Sequence, residues 1–125
     1  MLRYLLDEQI SPVVAEQLRK KHPNIPIESL HRWRGGELVS TPDEVILLAA
    51  ARGHATLVTY DQRTIPGLLV NWAEREINHE GVILVDELTI APGDFGSLIR
   101  SLVHFWKQHR NLDWTNRIAY LHPPR

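Results

Sequence analysis

Arg3-Tyr4-Leu5-Leu6-Asp7-Glu8 is a short apolar run that ends in two carboxylates. A strand buried on both faces of a parallel sheet reads as such a near-continuous apolar stretch. Open α/β sheets bind ligands beyond the carboxyl ends of their strands, so acid at that place has a chemical use. Thr56-Leu57-Val58-Thr59-Tyr60-Asp61 repeats the pattern, and Val82-Ile83-Leu84-Val85-Asp86-Glu87 repeats it again.

Between and beyond these runs, helix and strand signals alternate. Ser11-Pro12 marks a helix start, with Ser as cap and Pro at the first helical position. Its basic end, Arg19-Lys20-Lys21, suits the helix dipole. Ile25 to Leu30 reads as a second strand, and Pro26, which donates no backbone hydrogen bond, predicts a sheet edge. Thr41-Pro42-Asp43-Glu44 predicts a helix capped by Thr41, with Glu44 as capping-box partner. Val45 to Ala51 is apolar all round, which predicts burial between neighbours, and Gly53 reads as the residue just past the helix end. Ile65 to Asn78 and Ala91 to about His109 carry apolar residues at helical spacing. Gly81 to Val85 and Arg117 to Leu121 complete the strands. The order βαβαβαβαβ predicts an α/β fold: one domain over residues 1–125, a mainly parallel five-stranded sheet with helices on both faces.

The bulk numbers are bland. The chain has 125 residues, 43% of them hydrophobic, and a formal net charge of −1. That balance gives no sign of a partner captured by bulk charge, whether nucleic acid or membrane. Absence of cysteine removes disulfides and thiolate metal sites. No stretch approaches the roughly 20 apolar residues that span a bilayer, and Asp7 interrupts the only apolar run near the amino terminus. A cytoplasmic protein with no membrane partner is the expectation.

The acids carry the chemistry. If the strands ending at Asp7-Glu8 and Asp61 are neighbours, their carboxylates converge in one crevice. Asp43 and Glu44 open a helix that feeds the second of these strands. Clustered carboxylates repel unless a cation joins them. Hard divalent cations favour oxygen donors, so Mg²⁺ or Mn²⁺ fits better than Zn²⁺. Plainer roles compete: acids after strands form turns and caps, and Asp43 and Glu44 suit the positive end of a helix. Asp7 and Asp61 are the strongest members; Asp86 and Glu87 are weaker and fit a cap for the next segment of chain.

Leu5-Leu6-Asp7-Glu8, Ser40-Thr41-Pro42-Asp43-Glu44-Val45-Ile46 and Leu57-Val58-Thr59-Tyr60-Asp61 come in an order that resembles short PIN-like proteins. The branch in question includes Mut7-C type ribonuclease domains and toxins of bacterial toxin–antitoxin modules. The resemblance covers about Leu2 to Leu121. It implies a three-layer α/β/α sandwich and an Mg²⁺- or Mn²⁺-dependent ribonuclease. By it, Asp7 matches the first acid, Asp43 or Glu44 the acid at the helix start, and Asp61 the acid after the third strand. The branch usually carries a further Asp two residues on, before an aromatic; here Arg63 and Thr64 stand there. Glu8 or Asp86 is then the candidate for the missing oxygen, alongside Asp7 and Asp61 as metal ligands. The departure also admits a catalytically degenerate module that binds a protein partner or RNA.

Arg63 has two readings. It contacts substrate phosphate, or it forms a salt bridge with Asp7 or Asp61 that fills the site. His31-Arg32-Trp33-Arg34 offers Arg32 and Arg34 to phosphate and Trp33 to a base; the blander alternative is a solvated loop whose tryptophan covers the core edge. Trp72 and Trp106 sit on helical stripes and read as core, and Trp114 as core or contact. No phosphate-cradling glycine motif comes after a strand. A phosphorylated-aspartate receiver would want a lysine after the last strand, and none stands beyond Lys107. The expected partners are therefore an RNA substrate and, for a toxin, an antitoxin protein. Oligomeric state, a homodimer included, is left open.

Overall fold

The computed structural model describes residues 1–124. Five strands form one all-parallel sheet: β1 (Tyr4–Leu6), β2 (Ile27–Ser29), β3 (Thr56–Thr59), β4 (Val82–Leu84) and β5 (Ile118–Tyr120), in the order β2-β1-β3-β4-β5. Four helices join them: α1 (Pro12–Lys21), α2 (Asp43–Arg52), α3 (Ile65–Glu74) and α4 (Phe95–His109). No helix among the described residues is long and apolar enough to cross a membrane.

Alternation along the strands sorts the core into two layers. Tyr4, Leu6, Val58 and Ile83 point to the face that α1 and α4 cover, through Val14, Leu18, Leu98, Leu102 and Trp106. Leu5, Leu57, Val82 and Leu84 point to the other, covered by α2 and α3 through Ile46, Leu47, Leu69 and Trp72. Helix α4 is pinned to β1 and to the residues just before it by polar contacts inside this core. The Tyr4 hydroxyl donates to Leu102 O at 2.8 Å, and Trp106 Nε1 donates to Leu2 O at 2.9 Å. Trp114 is also core, and its ring lies where a Cβ on Gly81 would come within 2.9 Å; Gly81 also has φ +99°.

The parallel direction of the strands and the edge position of β2 are as the sequence implies. Several boundaries differ, for local reasons. Ser11 caps α1 by accepting from Val13 N–H, but Thr41 does not cap α2. Its hydroxyl donates backward to Leu38 O at 2.7 Å, Pro42 takes the cap position, and Glu44 forms no capping box. Helix α4 begins at Phe95, not at Ala91-Pro92, because the Asp94 carboxylate accepts from Ser97 N–H and caps it there. Helix α3 stops at Glu74, where Glu76 turns to φ +55°. Helix α2 is not buried all round, since Val45 and Leu48 reach solvent. Gly53 keeps an ordinary φ of −85°, and His54 takes the left-handed conformation instead. Glycine is needed at 53 for space, as a Cβ there would stand 2.8 Å from the Trp33 ring.

Candidate functional site: an acidic crevice at the strand ends

Strands β1 and β3 are direct neighbours, with Leu6 opposite Val58. The ladder continues one residue further, because Asp7 N–H donates to Val58 O at 2.9 Å. This fixes the Asp7 carboxylate beside the end of β3, where it is 1% exposed. One oxygen accepts from Glu8 N–H at 2.8 Å and the other from the Thr59 hydroxyl at 2.7 Å. The same hydroxyl accepts from Asp61 N–H at 3.0 Å. Thr59 thus ties the two strand-end acids together. Sequence reasoning passed over it; the signal was a hydroxyl in the last position of a fully buried strand.

Asp61 sits in a turn of its own. Its Oδ1 accepts from the backbone N–H of Arg63 and of Thr64, each at 2.9 Å. Asp43, in the first turn of α2, brings its carboxyl into hydrogen-bonding contact with the Asp61 carboxyl. Glu8 holds that helix entrance in place: both its oxygens lie 3.2 Å from Ser40 N–H, and its carbonyl is 2.7 Å from His31 Nε2. Three segments far apart in the chain therefore meet at one place: the ends of β1 and β3 and the start of α2.

The charges there are mutually unfavourable. Burial raises the Asp7 carboxyl above the usual range, further raised by the Glu8 and Asp61 charges, while the bonds from Thr59 and Glu8 N–H oppose this. Asp43 is pushed up to about 6, by burial first, then by contact with Asp61 and by the charges of Asp61, Asp7 and Glu8. Asp61 moves the other way. Burial disfavours its charge, but the N–H groups of Thr64 and Arg63 outweigh that and hold it below the ordinary value. At the Asp43–Asp61 contact a proton, or a cation in its place, relieves the repulsion.

The donor set is all oxygen, which suits a hard divalent cation. No three His, Cys, Asp or Glu side chains among the described residues are disposed to hold one metal ion. Mg²⁺ commonly uses only one or two carboxylates and keeps its waters. Asp43 and Asp61, whose carboxyls interact, supply two such carboxylates, and the Asp7 charge acts on Asp43.

The other predicted residues are placed differently. Glu44 points away and pairs with Arg75 at 3.5 Å on the surface. Asp86 uses its oxygens in its own turn, accepting from Leu88 N–H at 3.0 Å and lying 3.4 Å from the Thr89 hydroxyl. Arg32 pairs with Glu16 at 3.0 Å. Arg34 stacks over Trp33, its guanidinium carbon 4.9 Å from the ring centroid, and Trp33 packs on the α2 side of the core. Arg63 makes no ion pair with Asp7 or Asp61 among the described residues. Its exposed side chain lines an open cleft of about 700 Å³ together with Gln9, Tyr60, Asp61, Thr64 and Glu87.

No family model, curated protein or solved structure matches this chain.

Proposed function

We propose that the crevice hydrolyses RNA phosphodiester bonds with Mg²⁺ or Mn²⁺, as PIN-like ribonucleases do. One observation carries this reading: Asp43, Asp61 and Asp7 are brought together from distant segments at the strand ends, where their charges act on one another. Their mutual repulsion helps raise the Asp43 carboxyl to about 6. Clustered acids at strand ends are what a cation-binding site requires and what a purely structural turn does not.

Asp43 and Asp61 would hold the cation, and the charge of Asp7, fixed by Thr59, acts on Asp43. When bound, such a cation neutralises charge on the scissile phosphate and lowers the pKa of water. Thr59 and the backbone N–H groups of Arg63 and Thr64 orient the carboxylates. Arg63 has no carboxylate partner among the described residues, so in the cleft it is available to the phosphate backbone. A toxin of a toxin–antitoxin pair is the cellular role this implies, with an antitoxin protein as partner.

The test is cleavage of an end-labelled mixed-sequence RNA with Mn²⁺ by the wild type, Asp7→Asn and Asp61→Asn. Cleavage by the wild type alone is the expected result; equal cleavage by all three removes the proposal. For the toxin role, induced expression should arrest bacterial growth, and Asp61→Asn should not.

A second reading is favoured by Arg63, a cation at the place where the resembling branch carries an acid. In it the crevice is catalytically degenerate and serves a partner. It predicts no heat of Mn²⁺ binding in calorimetric titration, and no effect of Asp61→Asn on partner binding.

A further inference from the structure

On the opposite layer, α1 and α4 enclose a groove of about 480 Å³. Lys21 and His22 line it from the end of α1, and Arg100, His104 and Lys107 from α4. No carboxylate among the described residues lines it, although the chain as a whole is slightly acidic. Lys21, Arg100 and Lys107 take part in none of the ion pairs among the described residues. Arg100 donates only to the Ser97 hydroxyl, at 3.1 Å. Asp94 lies close enough to Arg100 for their charges to interact, but its carboxylate is engaged as the cap of α4.

Helix dipoles account for part of this. Lys21 and Lys107 stand in last turns, where cations are favourable. Arg100 and His104 are mid-helix and have no such reason. Arg100, His104 and Lys107 keep i, i+4, i+7 spacing, so they form one row about 10 Å long on α4. Beneath the row the floor is apolar, made by Ile99 and Val103.

We propose that this groove docks an acidic amphipathic helix of a partner polypeptide. Charge complementarity selects the occupant. Carboxylates on a helix at i, i+3 or i+4 and i+7 repeat with the spacing of the cationic row, and an apolar stripe beside them meets Ile99 and Val103. A nucleic-acid strand fits less well, because no Phe, Tyr or Trp among the described residues lines the groove to stack a base. The proposal stands apart from the acidic crevice and holds whether or not that crevice cuts RNA.

The test uses the full chain and a fluorescein-labelled helical peptide of repeating Leu-Glu-Ala-Leu-Glu-Glu-Ala heptads. Its controls are the same peptide with Gln for every Glu, and decauridylate as competitor. Fluorescence anisotropy should show saturable binding of the acidic peptide that weakens with salt and is lost in the Gln version. Lys21→Glu, and separately Arg100→Glu with Lys107→Glu, should each weaken it about tenfold or more. Both sites are exposed, and circular dichroism checks that each variant folds. Decauridylate should not displace the peptide. No saturable binding overturns the proposal, as does binding indifferent to the charge reversals. Displacement by decauridylate at lower concentration than by unlabelled peptide also overturns it, and assigns the groove to nucleic acid.

Discussion

The acidic crevice at the strand ends and the basic groove between α1 and α4 hold opposite charges in opposite physical states. In the crevice, carboxylates partly removed from water disfavour one another's charge, and the Asp43 carboxyl rises to about 6 as a result. In the groove, Lys21, Arg100 and Lys107 are exposed and make no ion pairs among the described residues. In the first, burial and repulsion disfavour the charges of Asp43 and Asp7, while backbone N–H groups and Thr59 hold the carboxylates in place. Charge crowded against its own kind needs a bound cation or proton to be at ease, whereas dispersed, hydrated charge needs nothing until a partner arrives.

The largest expected difference is in catalysis. Asp7→Asn and Asp61→Asn should each lower Mn²⁺-dependent RNA cleavage by about a hundredfold or more, the scale typical of losing a charge that acts on the transition state. Single-turnover assays with end-labelled RNA measure it, and EDTA should abolish the wild-type signal. Lys107→Gln, in the groove, should leave the cleavage rate unchanged. A matching loss in Lys107→Gln would mean that the two regions are not separate.

Next in size is the response to metal. A ligand that binds only the folded state stabilises it by about 2.7 kcal/mol at a hundred times its dissociation constant. Mn²⁺ should therefore raise the melting temperature of the wild type by several degrees. In Asp61→Asn the rise should be small or absent. An equal rise in both would place the cation elsewhere.

How far these features could be read in the sequence differs between the regions. Parallel topology and the edge position of β2 derive from apolar runs, Pro26 and strand alternation, because periodicity and backbone donors are local properties; the adjacency of β1 and β3, on which the convergence of Asp7 and Asp61 depends, is a long-range pairing that local pattern leaves open. Asp7 and Asp61 were visible because strand ends are visible. The choice between Asp43 and Glu44 was not, since both fit a helix start equally; it depends on how α2 rotates over the sheet, which sends Glu44 to Arg75 and Asp43 to Asp61. The Thr41 cap failed because its hydroxyl found Leu38 O, a competing local acceptor. The basic groove escaped notice altogether. Arg100, His104 and Lys107 alone are one exposed helix row; Lys21 and His22 reach them from a helix about 80 residues away in the chain, which no local pattern shows.

A smaller effect tests whether the repulsion in the crevice opposes folding. Asp43 has its carboxyl raised from 3.8 to about 6. Between those values the folded state holds more protons than the unfolded one, so stability falls as pH rises through that window and is level above it. Asp43→Asn removes the titration. At pH 7 and without metal it should be more stable than the wild type, and the difference should shrink towards pH 4 and vanish well below 3.8. Solvent screening and the lost attraction to the α2 dipole limit the gain to under about 1 kcal/mol. Urea melts at the two pH values measure it, and a destabilised Asp43→Asn at pH 7 would show that the helix-start role of Asp43 outweighs its repulsion with Asp61.

The smallest expected effect belongs to the groove, and its smallness is the point. Arg100→Gln and Lys107→Gln remove charges that are exposed and make no ion pairs among the described residues. Each should change unfolding stability by no more than about 0.5 kcal/mol, and by amounts nearly independent of pH between 5 and 8. Lys107 should show the larger loss of the two, because it also faces the negative end of the α4 dipole, whereas Arg100 is mid-helix. A cost of about 2 kcal/mol at Arg100 would mean that the row of cations supports the α1–α4 packing. It would then be part of the fold, and the contrast with the crevice would disappear.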